Sequence, residues 1–320
     1  MGRAGMTDAT GPAAGGAARE AVVALDVGGT GIKCALVSVT GEVLHTERHA
    51  TGADRGPDAV GETILDLAAS LAGKARADGL APVAVGLTVP GVVDEAGGVA
   101  LWSANVGFRD VPLRDLVSAR LGLPAALGHD VRAGGLAEAR LGSGRDFRHV
   151  LFVAIGTGIA AAHVVDGKGF AGAHGAAGEL GHIVVRPGGT PCGCGARGCL
   201  EAEASAAGVA RRYAAAAGSA ATAAEVVARA AGGDAVAVRV WTETIEVLAD
   251  GLVTAQTLYD TEAMVLGGGL AEAGDALLGP LAVAIRERLR FQREPILVRA
   301  ALGDEAGCVG AALLALDARA

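Results

Sequence analysis

Between Gly175 and Glu201 the chain reads GAAGELGHIVVRPGGTPCGCGARGCLE, which sets His182, Cys192, Cys194 and Cys199 at the separations of a four-ligand zinc loop. One ring nitrogen and three thiolates complete a tetrahedral shell with no open position, so the metal would shape the loop rather than hydrolyse anything. Glu179 and Glu201 flank these ligands. Both carboxylates and the second nitrogen of His182 would be held in place by that ion. A disulfide fits less well: three thiols leave an odd one, Cys192 and Cys194 stand too close for easy bridging, and no secretory segment supplies an oxidising compartment. Cys34 and Cys308 lie in apolar surroundings and read as core residues.

The second chemical feature is Asp26-Val27-Gly28-Gly29-Thr30 with Lys33 close behind. Glycines let backbone amides approach an anion, the Thr30 hydroxyl adds a donor, and Asp26 is suited to hydrated magnesium. The spacing before Lys33 is wrong for a Walker loop, and no helix follows at once, as a dinucleotide fingerprint requires. Taken alone, the segment reads equally as a phosphate cradle or a plain hairpin turn. Gly156-Thr157-Gly158 repeats the pattern of strand, Gly-Thr-Gly and strand, and MVLGGGL ends a third apolar strand at Gly267, Gly268 and Gly269. Two similar turns suit a duplicated fold that grips phosphates from both sides of a cleft, and the third leaves bare backbone for an adenine or ribose.

The elements that must position these groups follow from periodicity. AVVALDVGGTGIKCALVSVTGEVLHTERHAT predicts a meander of three strands, residues 58–76 an amphipathic helix, and PVAVGLTVPGVVD a buried strand ending in a Pro-Gly turn. VLFVAIGTGIAAAHVV is shorter than the roughly 20 residues of a membrane span and is broken by Gly156, Thr157, Gly158 and His163, so it reads as strand, turn, strand. Residues 202–231 predict two helices broken at Gly218-Ser219, and residues 235–259 one long helix with Val238, Ile245, Leu248, Leu252 and Leu258 available for the core. Small residues from Gly307 to Ala312 open a last helix able to pack closely and to form a hinge. Residues 1–20 read as a disordered Gly/Ala tail lacking the features of a signal peptide, which points to a cytoplasmic protein.

Composition bounds the rest. Apolar residues are 51% of the chain but aromatics only 3%, so Val, Leu and Ala must fill the core, and with 51 glycines any single Gly match carries little weight. A net charge of −8 argues against a nucleic-acid partner.

Taken together, DVGGTGIK, GTGI, GAAGELGH with its CGCGARGCLE continuation, and the GGG turn resemble the ROK family of bacterial sugar kinases, most closely its glucokinases, from about Val22 to Leu316. The resemblance implies an α/β chain with the two-domain actin-like ATPase (ribonuclease-H-like) fold: a small domain of residues 21–128 plus 304–320, and a large one of residues 129–303 carrying the zinc loop. It implies an ATP-dependent kinase using Mg2+, a structural Zn2+, a sugar substrate, and a homo-oligomer, dimer or tetramer. Asp130, in GHDVRAGGLAEA, falls at the position of the catalytic base, and Gly91, Asn105, Glu179, His182 and Glu201 at sugar-contacting positions. The chemistry asks for such groups, since a sugar hydroxyl is a poor nucleophile until a carboxylate takes its proton. Asp130 also suits a helix cap, and Asn105 an ordinary turn.

Many relatives carry Glu-Asn before that aspartate and Ala-Asn after it, whereas this chain has Gly128, His129, Val131 and Arg132. His129 then stands where an amide would touch the sugar, and it either replaces that hydrogen bond or favours another ligand. Glucose is the expected substrate; N-acetylmannosamine, kanosamine, fructose and a C7 cyclitol remain open, as does polyphosphate in place of ATP. Two other classes compete. A sugar-sensing repressor would need a winged helix ahead of the first strand, which the Gly/Ala-rich start is not expected to supply, and a nicotinamide oxidoreductase would need a fingerprint that is missing here.

Overall fold

The computed structural model describes residues 18–319. Strands β1 (Arg19–Val27), β2 (Gly31–Ser38) and β3 (Val43–Ala50) form the expected meander, followed by α1 (Pro57–Ala77) and the buried strand β4 (Leu80–Val89). A small antiparallel sheet of β5 (Val92–Asp94), β6 (Val99–Ser103) and β7 (Phe108–Val111) comes next, then α2 (Leu113–Leu121), β8 (Ala125–His129) and α3 (Asp130–Arg140). The first five-stranded sheet has the order β3-β2-β1-β4-β8, with β1, β4 and β8 parallel. Strand β1 reaches back to Arg19 because Arg19 and Glu20 pair with Leu80 and Ala81. The last residues assigned to a disordered tail are therefore strand, and residues 1–17 lie outside the described residues.

A second sheet repeats the plan. Strands β9 (His149–Ile155), β10 (Ile159–Val165) and β11 (Lys168–Gly169) form a meander, and β12 (Ala263–Gly267) and β13 (Ile296–Arg299) complete the order β11-β10-β9-β12-β13. In both sheets the first strand of the meander pairs in parallel with a later strand, leaving a glycine turn at the same end of each hairpin. Between β11 and β12 run α4 (Leu200–Ala204), α5 (Ala206–Ala217), α6 (Ala223–Ala231) and α7 (Ala235–Tyr259); α8 (Asp275–Arg288) precedes β13, and α9 (Ala306–Arg319) follows it.

Two sequence expectations change here. The segment 202–231 holds three helices, because Ser205 takes an extended conformation, ends α4 and caps α5 through the N–H of Gly208. In α7 the buried stripe runs through Trp241, Thr244, Leu248, Leu252 and Ala255, so Ile245, Leu248 and Leu252 are core as expected, while Val238 and Leu258 face outward, Leu258 with 70% of its surface exposed. Val238 lies in the first turn of the helix, and Leu258 lies six residues, about 120° of rotation, beyond Leu252, so neither is on the buried stripe. Cys34 and Cys308 are buried as predicted. No helix among the described residues is long and apolar enough to cross a membrane.

Candidate active site

Asp26 is the next-to-last residue of β1, and its carboxylate is held from two sides: the Thr88 hydroxyl donates to Oδ1 at 2.9 Å, and Lys33 Nζ lies 3.7 Å from Oδ2. The turn after it is braced by the Gly28 N–H donating to the Gly31 carbonyl and by the Thr51 hydroxyl donating to the Gly28 carbonyl at 2.6 Å. Asp130 is the first residue of α3, and the Val131 N–H donates to its Oδ1 at 2.7 Å. The cap of this helix is His129, whose ring accepts the Arg132 N–H, and the Asp130 carboxyl lines the same cleft of ≈ 420 Å³ as Asp26, Gly28, Thr30 and Lys33. Burial pushes both carboxyls above the usual range, and in Asp26 the neighbouring Asp130 charge adds to the effect. Two partly buried carboxyls lining one cleft are suited to a cation and a proton transfer.

Sequence reasoning overlooked several walls of this cleft. Arg48 on β3 and Gly307 at the start of α9 line it, and a side chain at Gly307 would strike the Asp26 carboxylate. Thr88 gave no signal either, because it meets Asp26 only through the parallel pairing of β1 and β4.

His129 ends β8 and is 7% exposed. Its Nδ1 lies 3.3 Å from Asp130 Oδ1 and 3.4 Å from the backbone nitrogen of Arg132. Burial, helped by the Arg132 charge, lowers its pKa to about 4, so the ring is neutral at pH 7, and the opposing pull comes from Glu179 and Glu95. Asn105 stands against the first glycine turn, since a Cβ on Gly29 would lie 3.0 Å from its own Cβ. Gly91 sits at the β4–β5 turn against the carbonyl of Trp102.

The second turn is closed by a carboxylate. Glu201 Oε2 accepts the Ile159 N–H at 2.9 Å and occupies the space where a side chain on Gly158 would begin. Glu201 thus meets the Gly156-Thr157-Gly158 turn directly, and the Gly156 N–H donates to the Gly158 carbonyl across it. Gly267 lies against the Phe152 ring of β9 and Gly268 against the backbone of Ile155, while Gly269 has open space around it. These three glycines, Glu179, His182, Glu201, Asn105 and Gly91 lie outside the lining of the cleft that holds Asp26 and Asp130.

His182, Cys192, Cys194 and Cys199 do converge, with ligand atoms all within 4.8 Å of one another. Cys192 Sγ lies 3.7 Å from His182 Nδ1 and Cys194 Sγ 3.6 Å from Cys199 Sγ. Sulfurs bound at about 2.3 Å to one tetrahedral ion stand roughly 3.7 Å apart, so the donor set fits a metal of that kind. The other ring nitrogen, Nε2, points to Glu179 Oε2 at 3.8 Å. The hairpin that brings the ligands together is closed by backbone bonds from Val185 to Gly198 and from Cys192 to Ala196, and by Glu203, which accepts the Thr190 N–H.

This combination of two meander sheets, paired glycine turns and a Cys/His loop is matched by the ROK family model over residues 22–318. The chain belongs to the ROK family. A glucokinase of Streptomyces coelicolor is 32% identical over 92% of this chain and 97% of its own length. An N-acetylmannosamine kinase of Citrobacter koseri is 34% identical over 92% of this chain and 98% of its own. Among solved structures, a ROK family glucokinase from Streptomyces griseus in complex with glucose and AMPPNP is 31% identical, covers 93% of this chain and 99% of that one, and superposes with a TM-score of 0.78. The two sheets with their cleft are accordingly the actin-like ATPase fold of ROK kinases.

Proposed function

We propose that the chain transfers the γ-phosphoryl group of ATP to a hexose hydroxyl, with glucose as the first substrate and Asp130 as general base. As a ROK sugar kinase it is an ATP-dependent phosphotransferase with an alcohol acceptor. The observation carrying the residue assignment is that Asp130, the first residue of a helix, lines the cleft that also holds Asp26 and the first glycine turn. In this reading the sugar lies between Asp130, His129, Asn105 and the Glu179–His182 pair. Asp130 takes the proton of the attacking hydroxyl, and the amides and hydroxyl of Gly28, Gly29 and Thr30 together with Lys33 hold phosphate oxygens. The second and third glycine turns hold the rest of the nucleotide. Asp26 is the residue suited to magnesium, which when bound neutralises phosphate charge. The ion suited to the Cys/His loop is zinc, with a purely structural role.

A second substrate, N-acetylmannosamine, is favoured by the Citrobacter relative and by His129 standing where many family members carry asparagine. A coupled ADP-release assay over glucose, N-acetylmannosamine and other sugars tests both. Asp130→Asn should lower kcat by about 10²- to 10⁴-fold while sugar affinity changes only a few-fold. Unchanged turnover in that variant would remove Asp130 from the chemistry.

A further inference from the structure

Apart from the His182 loop, one other group of metal-binding side chains comes together among the described residues: Cys34, Glu47 and His49, with donor atoms all within 4.8 Å of one another. No local motif announces it, because Cys34 lies on β2 and the other two on β3. Strand pairing makes the group. Cys34 stands directly opposite Glu47 in the antiparallel register, and His45, Glu47 and His49 alternate along β3, so all four share one face of the hairpin. The Glu47 carboxylate is held between the two imidazoles, with Oε1 3.2 Å from His49 Nε2 and Oε2 3.4 Å from His45 Nε2. Cys34 is 1% exposed and belongs to the core that packs the first sheet on α1, whereas the side chains of Glu47 and His49 are partly open to solvent. The thiol is the deepest donor, and the carboxylate and imidazole form the rim.

The charges of the hairpin favour a cation on this face. Lys33 and Arg48, the neighbouring pair in the register, turn to the opposite face and meet Asp304 there. Among the described residues the only charged or chargeable partners of Glu47 are therefore the two imidazoles. Oxygen and nitrogen donors at about 2.0–2.2 Å and sulfur at about 2.3 Å from one tetrahedral ion stand roughly 3.3–3.7 Å apart. The Glu47–His49 spacing is already of that order, and the sulfur has at most about one ångström to close. One thiolate, one carboxylate and one imidazole suit zinc and its first-row neighbours better than magnesium or calcium.

We infer that Cys34, Glu47 and His49 form a second metal site, for a zinc-class divalent cation, with water in the fourth position and His45 holding the other carboxylate oxygen. As the sulfur–metal bond forms, the Cys34 S–H bond breaks and its proton goes to solvent. The ion ties the edge strand β3 to β2. Those strands carry Lys33 and Arg48 into the cleft of Asp26 and Asp130, so the metal braces one cleft wall from behind. The site does not depend on the sugar-kinase reading.

The test is metal counting on the full-length chain, dialysed against Co2+ in reducing buffer and desalted, with the thiolate-to-cobalt charge-transfer band recorded beside elemental analysis. Glu47→Gln and His49→Ala should each hold one ion fewer per chain than the wild type. Cys34→Ser should lose the same ion together with the share of the band that a single thiolate contributes. Cys199→Ser, in the Cys/His loop, should keep this ion, and excess Mg2+ should not displace it. Circular dichroism checks the fold of each variant, and the two partly exposed positions carry the test if Cys34→Ser does not fold. Wild-type metal content in Glu47→Gln and His49→Ala, an unchanged band in folded Cys34→Ser, or loss of every ion in Cys199→Ser would overturn the site.

Discussion

The acid–base character of the site comes from burial of three side chains that touch or face one another. A base acts only when unprotonated, and burial holds the Asp130 carboxyl above the ordinary aspartate value of about 3.9. The acid limb of kcat/KM should accordingly fall through a pKa higher than that of a free aspartate, and it should be absent from the residual activity of Asp130→Asn. His129 acts on stability instead. In the unfolded chain it takes a proton near 6.5, whereas in the folded chain it resists until about 4. Between those values the unfolded state holds more protons, so stability falls as pH drops from about 6.5 to 4, by up to about 3 kcal/mol, and levels off below. Asp26 and Asp130, raised by burial, work with the opposite sign, since folding gains as they protonate. Urea unfolding of the wild type and His129→Asn over this range separates the two effects. Parallel curves would show that the imidazole takes up no proton on unfolding.

At the scale of elements, the proposed function makes the Cys/His hairpin the link between structure and substrate. His182 turns Nδ1 to Cys192 and Nε2 to Glu179, so an ion held by the sulfurs fixes the ring edge that faces the carboxylate. Cys199→Ser should therefore release the metal, measured by elemental analysis, and raise the KM for sugar about tenfold or more while the KM for ATP changes little. Equal changes in both would mean that the loop supports the whole molecule rather than one ligand. This hairpin was legible in the sequence because its ligands are close together in the chain and their spacing is itself the signal. The glycine turns were legible for a related reason: β-branched runs on either side mark where strands stop. Glu95, Thr88 and Arg48 were not. Each reaches the site through strand pairing or a turn from another part of the chain, and nothing local distinguishes it from a surface polar residue. The outward positions of Val238 and Leu258 were hidden as well, because periodicity gives a helix face but not how far along the helix its neighbours extend.

For the whole molecule, the cleft depends on how the two sheets are joined. Helix α9 covers one face of the first sheet, with Cys308, Ala311, Ala312 and Ala315 packed on Val22, Ala24, Ala35 and Ala84. Helix α3 covers the second sheet, with Leu136 and Ala139 on Phe152, Ala162 and Val164. The helices cross where a Cβ on Gly310 would lie 2.0 Å from the Ala133 carbonyl oxygen, so backbone meets backbone at the junction. Ala133 is three residues from Asp130 and Gly310 three from Gly307, which abuts Asp26; the contact thus sets the separation of the two cleft carboxyls. A side chain there cannot be absorbed by a rotamer change, because the atom it strikes belongs to a helix backbone. Gly310→Val should cost about 2 kcal/mol or more and displace one helix against the other. Its melting temperature should fall, and kcat should fall with it at temperatures where the variant remains folded. Gly73→Ala, at an exposed position of α1 with open space around it, is the control and should be neutral or slightly stabilising. If Gly310→Val melts early yet keeps full kcat below its transition, the crossing holds the lobes together without setting the distance between Asp26 and Asp130.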